Sequence, residues 1–89
     1  MEKTFRIIIS EGLHARPATL LVSAVVAFAA DVQLIYKNKS VNLKSIMGLM
    51  AQAIPSGAIV TISANGIDED KAIRKVTDVM ISEGLGEEC

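Results

Sequence analysis

The sequence predicts a two-layer α+β domain of order βαββαβα, with helices covering one face of a four-stranded, mostly antiparallel sheet that leaves its other face to water. Three observations lead there. Apolar residues recur along the chain first with a period of two and then with helical spacing, which is the signature of strands alternating with helices. Gly, Pro and Asn clusters mark the boundaries between these stretches. The 89 residues are 51% apolar and 21% charged, enough for one core and too few for a second, so residues 1–89 are expected to form one domain.

Taken in order, Phe5, Ile7 and Ile9 fall on one face of Thr4–Ser10, the pattern of a half-buried strand. Pro17 suits the first turn of a helix, where its missing N–H is not needed, and the apolar series Leu20–Phe28 follows without a breaker. Val32, Leu34 and Tyr36 alternate with Gln33, Ile35 and Lys37. Lys37-Asn38-Lys39-Ser40 follows, with Asn38 able to take a positive φ, before Val41 and Leu43 resume the alternation, so a hairpin is predicted. Ser45–Ala53 reads as a short helix ended by Pro55-Ser56-Gly57. Val60, Ile62 and Ala64 make the fourth strand, turned by Asn65-Gly66. Asp68, Glu69 and Asp70 supply a cap and negative charge for a last helix. Ala72, Ile73, Val76, Val79 and Met80 keep helical spacing along it, and Gly84 suits its end.

Composition narrows the function classes. Nine basic against ten acidic residues, with only three aromatics, leave no electrostatic or stacking footprint for nucleic acid. The opening residues MEKTFRIIIS lack the ordered regions of a signal peptide, and the apolar run Leu20–Ala30 is too short to span a bilayer, so a cytoplasmic protein without membrane insertion is expected. The single cysteine, Cys89, stands at the end of the chain as a free thiol, with no disulfide partner and no metal-ligand spacing.

The only histidine, His14, lies in EGLHARPATL at the junction of the first strand and the first helix. Several backbone N–H groups of an initial helical turn have no intrahelical partner, and their partial positive charge attracts an oxyanion. Arg16 adds a guanidinium that can pair with phosphate through two parallel hydrogen bonds, and Gly12 leaves room beside the ring. A nucleophile facing an anion pocket of this kind suits a phosphoryl group. A solitary loop histidine is also commonly a solvated residue, and with no second His, Cys or nearby Asp it forms no triad or metal site.

The stretches GLHARPAT and VNLKSIMGLM, with SEGLGE near the C-terminus, resemble the HPr family of histidine-containing phosphocarriers in the bacterial phosphoenolpyruvate-dependent sugar phosphotransferase system. The second and third look most like its Gram-positive branch. The resemblance implies an open-faced sandwich with strand order 1-4-2-3. It also implies that His14 accepts phosphate on Nδ1 from enzyme I and passes it to enzyme IIA domains, with Arg16 stabilising the phosphate and Pro17 starting the helix. Such a protein is a carrier and not an enzyme, and no cofactor is called for.

Ser45 is an expected N-cap. In the Gram-positive relatives that this chain resembles, the corresponding serine is phosphorylated with ATP by an HPr kinase/phosphorylase, and the product acts as corepressor for a catabolite-control regulator. A phosphate at a helix N-terminus is compatible with the fold and changes surface charge. The short helix has Ile46, Leu49, Met50 and Ala53 at core spacing, which leaves Met47 pointing elsewhere. The family docks its partners on the exposed apolar part of this helix, which singles out Ile46, Met47 and Met50, and flexible methionines suit a surface with several partners. The first helix departs from the family. It reads SAVVAFAA, with Ala27 where relatives commonly have lysine, so either weaker electrostatic steering or an added hydrophobic contact is expected. An alternative function is a regulatory binding protein that acts through Ser45 with little or no phosphoryl relay. Retention of His14, Arg16 and Pro17 favours the carrier.

Overall fold

The structure is a computed structural model that describes all residues from Met1 to Cys89. Its elements are β1 (Glu2–Ile7), α1 (Ala15–Val25), β2 (Asp31–Tyr36), β3 (Lys39–Asn42), α2 (Ile46–Ala51), β4 (Ile59–Asn65), α3 (Glu69–Ser82) and β5 (Gly86–Glu88). The sheet runs β3-β2-β4-β1-β5, with every pairing antiparallel. The predicted order 1-4-2-3 is therefore present, with one strand added at the β1 edge.

Register follows from the alternation of side chains. Phe5 pairs with Val60 and Leu34 with Ile62, so the inward faces of β1, β4 and β2 stack into one apolar layer. Phe5, Ile7, Val32, Leu34, Val60, Ile62 and Ala64 are buried there under the helices. These contribute Ala18, Leu21 and Val25 from α1, Leu49 from α2, and Ala72, Val76 and Met80 from α3. The open face carries Thr4, Arg6, Gln33, Thr61 and Ser63, and no polar side chain is buried. Lys37 and Asn38, at φ 49° and 66°, form the two-residue turn of the β2–β3 hairpin, because positive φ at both central residues matches the strands' twist. No helix is long and apolar enough to cross a membrane.

Several details differ from the sequence expectations. A fifth strand exists because Gly86 fits flush on β1: a Cβ there would lie 2.9 Å from the Arg6 carbonyl oxygen. The first strand ends at Ile7 instead of Ser10. Ile9 leaves the ladder, its amide donating to Leu85 O. Helix α1 stops at Val25, and the apolar residues after it form turns, with Val26 and Ala27 exposed. Its outward positions within the helix are Ala15, Arg16, Thr19 and Ser23, so it is amphipathic by side-chain size as well as polarity. Helix α2 ends at Ala51, and Ala53 takes the left-handed conformation at φ 49°. Of the four residues at core spacing only Leu49 is buried, because six residues reach the core with barely one turn.

Asp68 occupies the N-cap position of α3 and yet does not cap it. Its carboxylate instead accepts from the amides of Ala29 and Ala30 at 2.9 and 2.8 Å, tying α3 to the turns after α1. Those bonds, the Ala29 amide first, hold the Asp68 carboxyl below the usual aspartate range.

Candidate functional site

The site is built on the loop between β1 and α1. At its start, the Ile7 amide donates to Ala58 O and the Ile7 carbonyl accepts from the Gly57 amide, at 2.9 and 2.7 Å. At its end, the Leu13 amide donates to Ile54 O at 3.0 Å and the Leu13 side chain is buried. Between these anchors Gly12 is buried at φ +74°, and a Cβ on it would lie 2.4 Å from Ile54 O, so only glycine lets the two backbones approach. The other side of the loop is held by the end of α3, where Leu85 O accepts from the amides of Ile8 and Ile9 at 2.9 and 3.3 Å.

This framework fixes the backbone of His14 while leaving its ring in solvent. His14 is the N-cap residue of α1, with extended backbone, and its carbonyl accepts from the Ala18 amide at 2.9 Å. Its side chain makes no cap bond. The amides of Ala15 and Arg16 point out of the first turn without a protein acceptor, as helix geometry requires, and Pro17, the third helical residue, brings no N–H and packs inward. An exposed imidazole, two free amide donors and a guanidinium thus share one helical turn.

The charges around the ring come from three elements. Arg16 Nη2 donates to Glu83 Oε1 at 3.3 Å, across the gap between the start of α1 and the end of α3. Glu11 lies in the loop, where the Ser10 hydroxyl donates to Oε2 at 2.9 Å. That bond first, then a backbone hydrogen bond at Glu11 itself and a smaller contribution from the Arg16 charge, hold the Glu11 carboxyl below the usual glutamate range. Arg16 and His14 stand at the start of the first helix, where the sequence predicts them, whereas no local pattern in the sequence gives Glu83 a role beyond its place inside SEGLGE.

Beside this turn, α1 packs on α2. The Ser45 hydroxyl accepts from the Gly48 amide at 3.0 Å and caps α2 as predicted. Ile46, Met47 and Met50 are exposed to 38%, 84% and 40%, so all three expected docking residues present apolar surface. Lys44, just before the cap, donates from Nζ to Phe28 O at 2.6 Å and steadies the end of the α1 segment. The surface concavities lie between β3 and α2, between the β2–β3 turn and the segment after α2, and between Phe28 and α3, none of them lined by His14. An exposed histidine outside every concavity suits a macromolecular partner better than a small substrate, which needs enclosure.

Comparison with known proteins agrees with this geometry. A family model described as "PTS HPr component phosphorylation site" matches residues 1–82. The structure is similar to the histidine-containing phosphocarrier protein of a Mycoplasma at 40% identity and a TM-score of 0.94, over 97% of this chain and 98% of that one. It is similar to the phosphocarrier protein HPr of Bacillus anthracis at 37% identity and a TM-score of 0.82, over 89% and 94%. It also resembles Crh, the catabolite repression protein of Bacillus subtilis described as a swapped dimer, at 44% identity and a TM-score of 0.73, over 84% and 86%.

Proposed function

Because the chain belongs to the HPr family, we propose that it carries a phosphoryl group on His14 between enzyme I and the enzyme IIA domains of the sugar phosphotransferase system. The observation that carries this reading is the exposed His14 at the N-cap of α1, beside the free amides of Ala15 and Arg16 and the Arg16 guanidinium.

In the forward step a ring nitrogen of His14 attacks the phosphorus of phospho-enzyme I. The new N–P bond forms as the donor's bond to phosphorus breaks, and the donor group leaves with that bond's electron pair. The phosphoryl oxygens then meet the first-turn amides, where their charge is favoured by the helix dipole, and the Arg16 guanidinium supplies the counter-charge. Delivery to enzyme IIA repeats the exchange with His14 as leaving group. Both partners dock on the exposed Ile46, Met47 and Met50, and the chain contributes position and charge, not a substrate pocket of its own.

Ser45 is the regulatory position of this reading. Its half-buried hydroxyl caps the start of α2, and a phosphate placed there by an ATP-dependent kinase adds negative charge at the docking face without removing a helix-capping acceptor. A catabolite-control regulator is the partner that would read this form. A purely regulatory role, suggested by the likeness to Crh, leaves the exposed His14 and its neighbouring cation without a use.

The test is to incubate the chain with phosphoenolpyruvate and enzyme I, and separately with ATP and an HPr kinase, then treat each product with acid. Acid-labile phosphate in the first supports the relay, and acid-stable phosphate in the second supports the switch. No label from enzyme I together with stable label from the kinase would reverse the assignment in favour of regulation alone.

A further inference from the structure

Strand β3 is one edge of the sheet, and α2 lies against it. In an antiparallel ladder, bonded and non-bonded pairs alternate. The Leu43 amide donates to Val32 O at 2.8 Å, and Val41 stands opposite Leu34 with Ser40 opposite Ile35. The bonded residues of β3 are therefore Val41 and Lys39, and the backbone groups of Ser40 and Asn42 point away from β2. The Asn42 carbonyl accepts from the Ser45 amide at 3.0 Å. The N–H and C=O of Ser40 and the N–H of Asn42 are left for an outside partner.

A groove runs beside this edge. Its first part, of about 460 Å³, lies between Lys39 and Val41 of β3 and Gly48, Ala51 and Gln52 at the end of α2. Gly48 and Ala51 stand one helical turn apart, and their small size is what leaves the space. A second part, of about 370 Å³, shares Lys39 and Gln52 and continues past Tyr36 and Lys37 to Pro55. Gln52 Nε2 donates to Lys39 O at 3.3 Å, joining helix to strand where the two parts meet. No carboxylate lines either part. Lys37 lies 5.4 Å from the centre of the Tyr36 ring, and neither Lys37 nor Lys39 is in an ion pair.

An open backbone edge, an adjoining groove and two unpaired cations are the parts of a strand-addition site. The geometry points to β3 as a binding site for an acidic, extended segment of a partner protein, added beside β3 at the edge of the five-stranded sheet. The segment's backbone bonds to Ser40 and to the Asn42 amide. Its side chains on the helix side enter the groove, where Val41 offers apolar contact and Lys37 and Lys39 offer counter-charge. A short edge carrying lysines is a common defence against unwanted pairing. Here the same lysines select the partner: a second copy would bring lysines against lysines, whereas an acidic strand meets opposite charge. His14 lines neither part of the groove, so the inference stands apart from the phosphocarrier reading.

The test uses the whole chain and a fluorescent synthetic octapeptide of alternating valine and glutamate, with a valine-lysine peptide and inorganic pyrophosphate as comparison probes. Binding is followed by anisotropy at low salt, and amide hydrogen exchange by NMR with and without peptide. The acidic peptide should bind, and should slow exchange at the Ser40 and Asn42 amides more than elsewhere. Lys39→Glu should weaken binding about tenfold, the scale of turning an exposed ion pair into a repulsive one. Ser40→Pro removes an N–H that faces away from the ladder and an exposed hydroxyl bond to Gln33, so the fold should be kept. Its binding should fall at least about threefold, as for one lost hydrogen bond. If Ser40→Pro does not fold, the exchange pattern and Lys39→Glu decide. No binding of the acidic peptide, equal binding of the lysine peptide, protection centred elsewhere, or unchanged affinity in a folded variant would overturn the inference. So would displacement of the peptide by equimolar pyrophosphate, which would make the groove a small-anion site, or a dimer of the chain that Ser40→Pro dissolves, which would make the edge a contact between copies.

Discussion

Gly12 and Ile54 touch backbone to backbone: the Leu13 amide donates to the Ile54 carbonyl, and a Cβ on Gly12 would stand 2.4 Å from that same oxygen. The approach locks the loop in front of His14 against the segment after α2. Replacing Gly12 with Ala adds a side chain at φ +74° and displaces Ile54, so it should cost about 1–3 kcal/mol from the backbone conformation, with a further cost from the clash. Urea unfolding should show the loss, and phosphoryl transfer should fall even at temperatures where the variant is folded, because the His14 backbone shifts. A variant as stable and as active as the parent would show that the loop is not fixed in this way.

Ser45 separates structure from charge. Ser45→Ala removes the acceptor for the Gly48 amide and should cost about 1 kcal/mol in urea unfolding, as expected for a lost N-cap. Ser45→Asp keeps an acceptor and should leave stability nearly unchanged, while phosphorylation by enzyme I falls because a negative charge now sits beside Ile46, Met47 and Met50. If Ser45→Asp melts early and transfer by the folded fraction is unaffected, Ser45 is a structural cap and no switch.

Ala27 lies in the exposed turns after α1, at the position where the family resemblance leads one to expect a lysine. Ala27→Lys should change stability by no more than about 0.5 kcal/mol, as for other surface substitutions. It should also raise the rate of phosphorylation by enzyme I at low salt, with the gain fading as the Debye length shrinks below roughly 10 Å. A gain that persists at high salt would point to direct contact in place of steering.

Asp68 predicts an acid dependence. Its folded-state carboxyl is held low by the Ala29 amide first and then by Ala30, so the carboxylate stabilises the fold at pH values above the ordinary aspartate range. That stabilisation is lost as pH falls through the lowered folded value. Glu69 shifts the same way, chiefly through the Gly66 amide. Asp68→Asn should therefore melt earlier than the parent at neutral pH, and the difference should narrow in acid. Parallel melting curves across that range would remove Asp68 from the clamp between α1 and α3.

What could be read in the sequence was local, and what could not was carried by contacts between distant residues. His14, Arg16 and Pro17 were legible because helix-start chemistry operates within four consecutive positions, and Ser45 for the same reason. The hairpin at Lys37-Asn38 was legible from one residue that tolerates positive φ. Asp68 looked like a cap because nothing nearby competes for its carboxylate, and its actual donors are Ala29 and Ala30, 39 and 38 residues away. Glu83 was missed for the same kind of reason, its partner Arg16 being 67 residues earlier. Strand β5 has three residues, too few to show a period, and only the flush fit of Gly86 on Arg6 creates it. In α2 the core spacing misled because six residues bring one side chain, Leu49, to the core.

The central claim is that His14 itself carries the phosphoryl group. The most direct measurement is incorporation of label from phosphoenolpyruvate, in the presence of enzyme I, into the parent chain and into His14→Ala, with thermal unfolding of both alongside. The exposed ring contributes no packing, so the two should melt within about 2–4 °C of each other. The parent should take up acid-labile phosphate and His14→Ala none. Acid-labile label on a folded His14→Ala chain, or a folded parent that takes none from an active enzyme I, would contradict the account.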